Sequence, residues 1–361
     1  MISLGPGERI VVGMSGGVDS SVAAALLLEQ GYQVIGVMLR LWSNSGTVNR
    51  CCAPDAVAEA RFIAGQLEIP FYVIDAREAF YQAVVVPFID GYANGITPNP
   101  CLRCNRAVRW HFLRSRAQAL GANKIATGHY ARTKMGPGGT LQLLKNKDPE
   151  KDQSYFLHLL TQDDLGSTVF PLADLTKTEV RQIASEFSLA VADRPDSQDL
   201  CFVGQGNYRD FLREKIPGAA KPGPILNLEG VLLGEHTGLM DYTIGQRKGL
   251  QIAGPEPYYV IDKDLANNAL VVGFKAALGR NEFMTHSVNW IAGNPPAAPF
   301  SAQIKIRYRS RPVPGLIEPI QENQARVVLE DPLSDITPGQ AGVFYQDQVC
   351  LGGGTIFLEE S

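Results

Sequence analysis

The chain has 361 residues, enough for two or three domains, and its 45% hydrophobic and 19% charged content is typical of water-soluble globular proteins. No apolar run approaches the roughly 20 residues that span a bilayer, and no basic-then-apolar export signal opens the chain, so we expect a cytoplasmic protein without a membrane partner. The net charge of −4, taken as a total, argues against a nucleic-acid partner, and in a reducing compartment the six cysteines are not expected to form structural disulfides.

The first motif that carries chemistry is the turn GMSGGVDSS, residues 13–21. The β-branched run before it predicts a buried strand, and SVAAALLLEQG after it predicts a helix that ends at Gly31. A glycine turn at a helix N-terminus forms an anion site, in which Ser15 and Ser20 can donate to phosphate oxygens and Asp19 can hold Mg²⁺. The lysine of the nucleotide P-loop and the glycine spacing of the dinucleotide fingerprint are both missing. The turn resembles the pyrophosphate loop (PP-loop) of ATP pyrophosphatases, which implies adenylation by ATP and leaves the acceptor open.

The first 205 residues alternate strand and helix patterns, as a doubly wound parallel sheet requires. After the first unit, the predicted strands are YQVIGVML (32–39), FYVID (71–75) and KIATGHYA (124–131), and the predicted helices are DAVAEARFIAGQLEI (55–69), NRAVRWHFLRSRAQALGA (105–122) and TKTEVRQIASEFSL (176–189), the last capped by Thr176 or Thr178. Ligands bind beyond the carboxyl ends of such strands, so we expect the loops after IVVG, VML and IATG to surround one site.

A Cys-x-x-Cys pair lies in TPNPCLRCNR, residues 97–106. We expect the prolines to keep this stretch extended and the helix to begin near Asn105, which would place Cys104 beside a helix N-terminus between two arginines. Both effects lower the pKa of a thiol. Half a zinc site, a thioredoxin-like redox pair and an incidental pair are the alternatives, although no second Cys-x-x-Cys or suitably spaced histidine pair accompanies it.

Four further cysteines lie outside this pair. Cys201 lies in a loop-like stretch, DSQDLCFVG, and is a second reactive candidate, while Cys350 in DQVCLGG is expected to be a buried small hydrophobe. Cys51 and Cys52 lie near the start of a predicted helix, and we assign them no role. An adenylating loop combined with two reactive thiols suggests sulfur transfer, because a persulfide on one thiol needs a second thiol to release its sulfur.

From about Gly206 the chain consists of short alternating runs separated by Gly, Pro and Asn, a pattern typical of β-hairpins and small barrels. The proline-rich GNPPAAPF predicts a boundary near the start of a final β domain. The overall prediction is an α/β protein with three domains: an ATP-binding domain over 1–205, a mainly-β central domain over 206–280 and a C-terminal β-barrel over 281–361.

Two local clusters of basic residues oppose the acidic total. CLRCNRAVRWHFLRSR contains five arginines and no acidic residue, and KIRYRSR contains four basic residues. Each cluster alone could be a solvated face. Two such clusters in an acidic protein favour a polyanionic binding partner that contacts both ends of the chain.

Nearly the whole chain resembles the tRNA-specific 2-thiouridylase (MnmA) family. The motifs that carry the resemblance are GMSGGVDSS, TPNPCLRCN, IATGHYAR, KDQSYFL, CFVG, GLMDYTIGQRKGL, YYVIDKDLANNALVVG, RYR and TPGQAGVFY…CLGGG. The resemblance implies ATP-dependent conversion of the wobble uridine to 2-thiouridine in tRNAs of the Lys, Glu and Gln types, with release of AMP and pyrophosphate. It also implies a cysteine desulfurase or a sulfur-relay protein as the sulfur donor.

The resemblance further implies roles for individual residues. Cys104 would be the nucleophile and Cys201 the persulfide carrier, joined in a transient disulfide. The ATP-binding residues would be Gly13, Met14, Ser15, Gly16, Gly17, Val18, Asp19, Ser20, Leu39 and Gly128. The residues that contact the target base or the tRNA would be Asn99, Pro100, Cys101, Lys151, Asp152, Gln153, Arg307 and Tyr308. From the residues alone, Tyr308 could equally pack in the barrel, and KDQSYF could be a surface turn that caps the next helix.

Two positions depart from the family pattern. Many relatives have methionine where this chain has Leu39, so a side-chain contact with the nucleotide is in doubt while a backbone contact would survive. Some have aspartate where this chain has Cys101, and the extra thiol would allow Cys101, Cys104 and Cys201 to hold a [4Fe–4S] cluster. We favour the persulfide route.

Two other functions are alternatives to thiolation. One is a superfamily ligase that acts on a small molecule, which is disfavoured because the sequence contains no recognisable glutaminase segment. The second is a tRNA-binding module that holds ATP without turnover, which is disfavoured by the intact Asp19 and the two placed thiols.

Overall fold

The computed structural model describes residues 7–42, 54–194, 200–203, 207–218 and 220–358, in which three β-sheets form the architecture. None of the helices in these residues is long and apolar enough to cross a membrane. Cys51, Cys52 and the predicted domain boundary at 205/206 lie outside the described residues.

The strands are numbered in chain order. They are β1 Arg9–Gly13, β2 Gln33–Arg40, β3 Phe71–Asp75, β4 Lys124–Thr127, β5 Arg132–Met135, β6 Leu141–Leu144, β7 Thr168–Val169, β8 Gly223–Leu226, β9 Leu232–His236, β10 Tyr259–Asp264, β11 Ala269–Gly273, β12 Arg280–Trp290, β13 Phe300–Lys305, β14 Val313–Gln321, β15 Gln324–Leu333, β16 Ala341–Gln346 and β17 Val349–Phe357.

The helices are numbered in the same way. They are α1 Val18–Glu29, α2 Pro54–Gln66, α3 Arg77–Phe80, α4 Val86–Ala93, α5 Pro100–Arg103, α6 Leu113–Ala119, α7 Ser154–Leu157, α8 Gln162–Gly166, α9 Lys177–Glu186 and α10 Tyr208–Lys215. Two π-helical segments, Tyr81–Val85 and Cys104–Phe112, join α3 to α4 and α5 to α6. Three short 3₁₀ turns lie at Pro137–Gly139, Leu239–Asp241 and Lys275–Leu278.

The first sheet contains five parallel strands in the order β3-β2-β1-β4-β7. Its central strand β1 is buried on both faces, since Ile10, Val11 and Val12 have no exposed surface, which explains the continuous β-branched run in the sequence. The prediction of a doubly wound parallel sheet is confirmed. The strand order reverses between β1 and β4, and the crevice at such a point is where ligands bind.

A continuous helix runs from Pro100 to Ala119 through α5, the π-helical segment and α6. The prediction that it begins near Asn105 is wrong by about one turn. Asn99 is its N-cap, with a side chain that accepts a hydrogen bond from Cys101 N at 3.2 Å, and Pro100 occupies the first helical position. Asparagine and proline are both favoured at these positions, so these residues start the helix and do not delay it.

The central domain contains a four-stranded sheet in the order β10-β11-β8-β9. Its small core is made by Ile225, Val260, Leu270 and Val272, all without exposed surface. The predicted change to short β-hairpins after the first sheet is therefore confirmed, although helix α10 precedes the first of these strands.

Six antiparallel strands close into the C-terminal barrel, in the order β12-β15-β14-β13-β16-β17 with β12 paired again to β17. The predicted boundary at GNPPAAPF is wrong, because that loop joins β12 to β13 inside the barrel. The hairpin of β5 and β6 belongs to the first part of the chain yet extends the barrel sheet through β17. The α/β domain and the barrel therefore share a sheet.

Candidate active site

One cavity of about 1350 Å³ opens where the first sheet faces the barrel. Residues that follow β1, β2 and β4 form one side of it, which confirms that these three loops surround a single site. Residues 305–312, between β13 and β14, form the opposite side, except for the buried Ile306.

The PP-loop is built for an anion. Ser15 N donates to Ser20 Oγ at 3.1 Å, and no side chain caps the start of α1, where Gly17 is the N-cap. Gly16 has a φ of +74° and a Cβ there would lie 2.9 Å from a backbone oxygen of α2, so only glycine fits. Arg194 fixes the loop from behind by donating to Gly16 O at 2.8 Å. Seven of the eight predicted loop residues line the cavity, and Gly16 is the exception.

The carboxylate of Asp19 has two donors in the cavity. Lys177 Nζ lies 2.7 and 2.9 Å from its two oxygens, and Tyr130 Oη donates to it at 2.7 Å. Lys177 is a site residue that sequence reasoning missed. It is the first residue of α9, immediately after the N-cap Thr176, and its local sequence marks the start of a helix but not a site residue.

Two further predicted nucleotide contacts, Leu39 and Gly128, line the cavity. Gly128 also has a packing role, because a Cβ there would lie 2.7 Å from the backbone of Asp19 and Ser20. Any side chain at this position would push the loop after β4 away from the start of α1.

The three candidate thiols occupy different surroundings. Cys101 is exposed on the cavity wall, and the loss of bulk water inside the cavity raises the pKa of its thiol to about 11, with Cys104 acting in the same direction and Arg109 opposing it. Cys104 is buried one helical turn further on, and Cys201 is half-buried against the same apolar cluster. The predicted position of Cys104 at the helix N-terminus is therefore wrong, since Cys101 lies in the first turn.

The described residues contain no group of three or more His, Cys, Asp or Glu side chains placed to hold a metal ion. The set Cys101, Cys104 and Cys201 therefore does not fit a [4Fe–4S] cluster in this structure. Asp19 is a single carboxylate beside a phosphate loop, a donor set that fits Mg²⁺ when the phosphates supply other ligands.

His129 and Arg109 are two more cavity residues that the sequence did not single out. Burial lowers the pKa of His129 to about 3, and Arg109 acts in the same direction, so the imidazole is neutral near pH 7. Its Nδ1 pairs with Thr127 Oγ1 at 2.9 Å and its ring lies 5.3 Å from that of Trp110. The GH dipeptide after β4 was the available signal.

The residues predicted to contact RNA differ in how they are held. Asn99 lines the cavity while it caps α5, and Pro100 is buried outside the cavity wall. Asp152 is buried and accepts hydrogen bonds from Asn146 N and from Ser154, a structural role within its own loop. Gln153 and Lys151 line the cavity, and Gln153 Oε1 accepts from Tyr130 N at 2.9 Å.

The basic strip, which we define as Lys305, Arg307, Arg309 and Arg311, lies along the barrel side of the cavity. Arg307 is fixed to the barrel, since its Nη2 donates to Thr337 Oγ1 at 2.7 Å and to Asp335 O at 3.2 Å. Tyr308 lines the cavity and also packs against Phe156 of α7, with the ring centroids 4.5 Å apart. The first arginine cluster is dispersed along the helix from Pro100, and of its five arginines only Arg109 lines the cavity.

Among the remaining cysteines, Cys350 is fully buried in β17, and burial raises the pKa of its thiol to about 12. The expectation of a buried small hydrophobe at this position is confirmed.

Three family models match the chain. The tRNA methyl transferase HUP domain matches residues 8–205, the tRNA methyl transferase PRC-barrel domain matches 209–274, and the Aminomethyltransferase beta-barrel domain matches 280–356. These descriptions name methyl transfer, whereas the full-length relatives are named for thiolation.

Curated relatives match over almost their full length. The tRNA-specific 2-thiouridylase MnmA of Chloroflexus aurantiacus is 47% identical over 355 residues, covering 98% of this chain and 99% of the relative. The protein of the same name from Roseiflexus castenholzii is 46% identical over 366 residues, covering 96% and 99%. A solved 4-thiouridine synthetase–RNA complex with bound ATP is 16% identical with a TM-score of 0.35, covering 58% of this chain and 51% of that one, which is too distant to inform the site. With almost half of its residues identical over nearly the whole length of these relatives, the chain belongs to the tRNA-specific 2-thiouridylase MnmA family.

Proposed function

We propose that this chain converts the wobble uridine of tRNA to 2-thiouridine in two steps: adenylation of the C2 oxygen by ATP, then displacement of AMP by sulfur from a cysteine persulfide. The observation that carries the proposal is that one cavity combines a phosphate loop with a strip of four cations, while two thiols, Cys104 and Cys201, pack against one apolar cluster a helical turn from Cys101 on the cavity wall. A small-molecule ligase needs the first feature and has no use for the other two.

In the adenylation step, residues Gly13 to Ser20 bind the phosphates of ATP, and Leu39 and Gly128 frame the nucleotide. Lys177 and Asp19 neutralise each other across 2.7 Å. When Mg²⁺ is bound with ATP, Asp19 would hold it and the metal would neutralise phosphate charge. Lys177 would then be released to donate to the departing pyrophosphate, where a fixed cation stabilises developing negative charge.

In the sulfur-transfer step, Cys201 carries the persulfide and Cys104 attacks its inner sulfur. A Cys104–Cys201 disulfide forms, hydrosulfide leaves with the electron pair of the S–S bond, and it attacks the adenylated C2 carbon with loss of AMP. An external thiol reductant then restores both cysteines. The packing of Cys104 and Cys201 against one apolar cluster supports this pairing. The thiols of the described residues do not fit an iron–sulfur cluster, so the sulfur is carried as a persulfide in this proposal.

The RNA is held by contacts to phosphate and to the target base. Arg307 and the rest of the basic strip suit phosphate contacts. Lys151, Asp152, Gln153 and Tyr308 line the same cavity and would contact the tRNA. Asn99 and Cys101 would face the extruded base, whereas Pro100 is buried outside the cavity wall and would act by starting the helix that carries Cys101. The resemblance extends the proposal to tRNAs of the Lys, Glu and Gln types and to a cysteine desulfurase or relay protein as donor.

Reconstitution tests the proposal. Purified protein, unmodified tRNA transcript, Mg-ATP and a desulfurase with cysteine should yield 2-thiouridine by nucleoside mass spectrometry, and pyrophosphate release should depend on the tRNA. Pyrophosphate release without tRNA would instead indicate a small-molecule ligase, and tRNA binding without any pyrophosphate would indicate a binding module.

A further inference from the structure

A turn of the central domain, residues 243–249, presents two cations that the site described above does not use. Arg247 and Lys248 are both exposed at its tip. Among the described residues neither takes part in an ion pair, so their charges are available to a partner. The turn is part of the motif GLMDYTIGQRKGL, whose basic residues have no role in the chemistry proposed above.

The backbone of this turn is fixed without help from the two cations. Gln246 N donates to Thr243 O at 2.9 Å, its Oε1 accepts from Thr243 N at 3.1 Å, and its Nε2 donates to Lys248 O at 2.9 Å. Gly245 N donates to Val260 O at 2.9 Å, which joins the turn to β10. Removal of the Arg247 and Lys248 side chains should therefore leave the turn intact.

The turn lies beside the segment that holds the basic strip. Gly245 has a φ of +83°, and a Cβ there would lie 3.2 Å from Ser334 O, so the turn and the barrel are in close contact. The adjoining Asp335 and Thr337 accept the hydrogen bonds of Arg307. Thr243, at the start of the turn, lines the cavity itself. The two exposed cations therefore lie on a turn that starts at the cavity wall and contacts the barrel segment that holds Arg307.

We propose that Arg247 and Lys248 bind the phosphate backbone of the tRNA stem next to the anticodon loop. The inference rests on the proposed function, because it requires that the target base occupies the cavity and that the flanking RNA leaves along the basic strip. RNA carries one negative charge per phosphate, so cations on a turn next to the cavity suit the phosphates of a strand that leaves the cavity. An acidic surface of a sulfur-donor protein is the alternative partner, and nothing in the position of the turn favours it over the RNA.

Binding measurements across a range of salt concentrations test this inference. The double variant Arg247→Ala/Lys248→Ala should bind an unmodified tRNA transcript about tenfold more weakly at low salt, with the slope of log K against log salt reduced by about 1 to 2. Its affinity for a short single-stranded oligonucleotide of the anticodon-loop sequence should not change. The matched control Lys221→Ala/Lys275→Ala removes two exposed lysines of the same domain that lie outside the 243–249 turn, and should bind like the wild type.

A charge-conserving variant, Arg247→Lys/Lys248→Arg, should retain most of the affinity, and an unchanged melting temperature shows that the alanine variant is folded. Wild-type affinity and salt slope in the folded alanine variant would overturn the inference, leave the proposed function standing and point to the acidic protein partner. An equal loss for the oligonucleotide would overturn the assignment to the stem. A wild-type protein that binds no transcript would overturn the inference and the proposed function together.

Discussion

At the scale of single residues, the sequence identifies the chemically reactive side chains of this site but does not give their positions. The cysteines could be singled out because thiols close to arginines are chemically distinctive wherever the chain places them. Their surroundings could not, because the start of the helix decides which thiol lies in the first turn. In the structure Cys101 faces the cavity and Cys104 is buried one turn further on. We therefore assign exchange with Cys201 to the buried thiol of the pair.

The two assigned thiols are tested by conservative substitution. Cys104→Ser and Cys201→Ser should each abolish 2-thiouridine formation in a single turnover, because a hydroxyl neither carries a persulfide nor forms a disulfide. The affinity for tRNA should stay close to that of the wild type. Cys350→Ala, at the buried thiol of β17, is the control and should retain thiolation by the folded protein. Product formation by either serine variant would remove that cysteine from the mechanism.

The Lys177–Asp19 pair shows what residue-level sequence reading misses. The two residues are 158 positions apart, and only the packing of α9 against α1 brings the ammonium to within 2.7 Å of the carboxylate. No local pattern at Lys177 distinguishes it from any lysine in the first turn of a helix.

Lys177→Met should lower kcat/KM for tRNA-dependent pyrophosphate release by roughly 10²-fold, the magnitude expected when a preorganised cation at a departing anion is removed. The effect should appear mainly in kcat, and binding of tRNA should not change. Lys147→Met is the matched control, since Lys147 pairs with Glu179 of the same helix and does not line the cavity. Equal rates in the two variants would contradict a role for Lys177 in phosphate chemistry.

At the level of elements, local sequence patterns predict those strands and helices whose formation depends on neighbouring residues. Strands β1 to β4 and helix α9 with its Thr176–Glu179 capping box follow from periodicity and capping residues. The pairing of the β5–β6 hairpin with β17 cannot be predicted from local patterns, because it joins residues about 200 positions apart. The start of α5 at Pro100 could have been predicted from the sequence, because asparagine followed by proline is a favourable helix start. Our interpretation of the same residues as an extended stretch missed this signal.

The cap at α5 can be tested directly. Asn99→Ala should lower the free energy of unfolding by about 1 kcal/mol, because Cys101 N loses its acceptor at the first turn. Asn99→Asp keeps an acceptor oxygen and should retain most of this stability. Urea unfolding of the three proteins, followed by circular dichroism, measures the difference. A similar loss in both variants would indicate that Asn99 stabilises the protein through contacts other than the cap.

For the whole molecule, the contact between the catalytic domain and the barrel passes through a buried histidine. A Cβ on Gly353 of the barrel would lie 3.0 Å from the His158 ring, and Asn289 Nδ2 donates to His158 O at 2.7 Å. Burial lowers the pKa of His158 to about 4, partly opposed by a hydrogen bond to Tyr155 O, with Arg106 acting in the same direction as burial. The ring is therefore neutral when the two domains are joined.

This burial makes stability depend on pH in a predictable direction. In the unfolded chain His158 takes up a proton at the ordinary histidine pKa near 6.5, whereas in the folded protein it takes one up only near pH 4. Between pH 6.5 and pH 4 the unfolded state therefore binds more protons, and acidification favours unfolding. The free energy of unfolding should be flat with respect to this group above pH 6.5 and should fall by at most about 1.4 kcal/mol per pH unit below it. His158→Gln should remove that part of the slope, leaving the contributions of His129 and His286, whose pKa values are also lowered by burial. An identical slope in the wild type and in His158→Gln, measured by urea unfolding between pH 4 and 8, would mean that His158 is not held neutral at the contact between the domains.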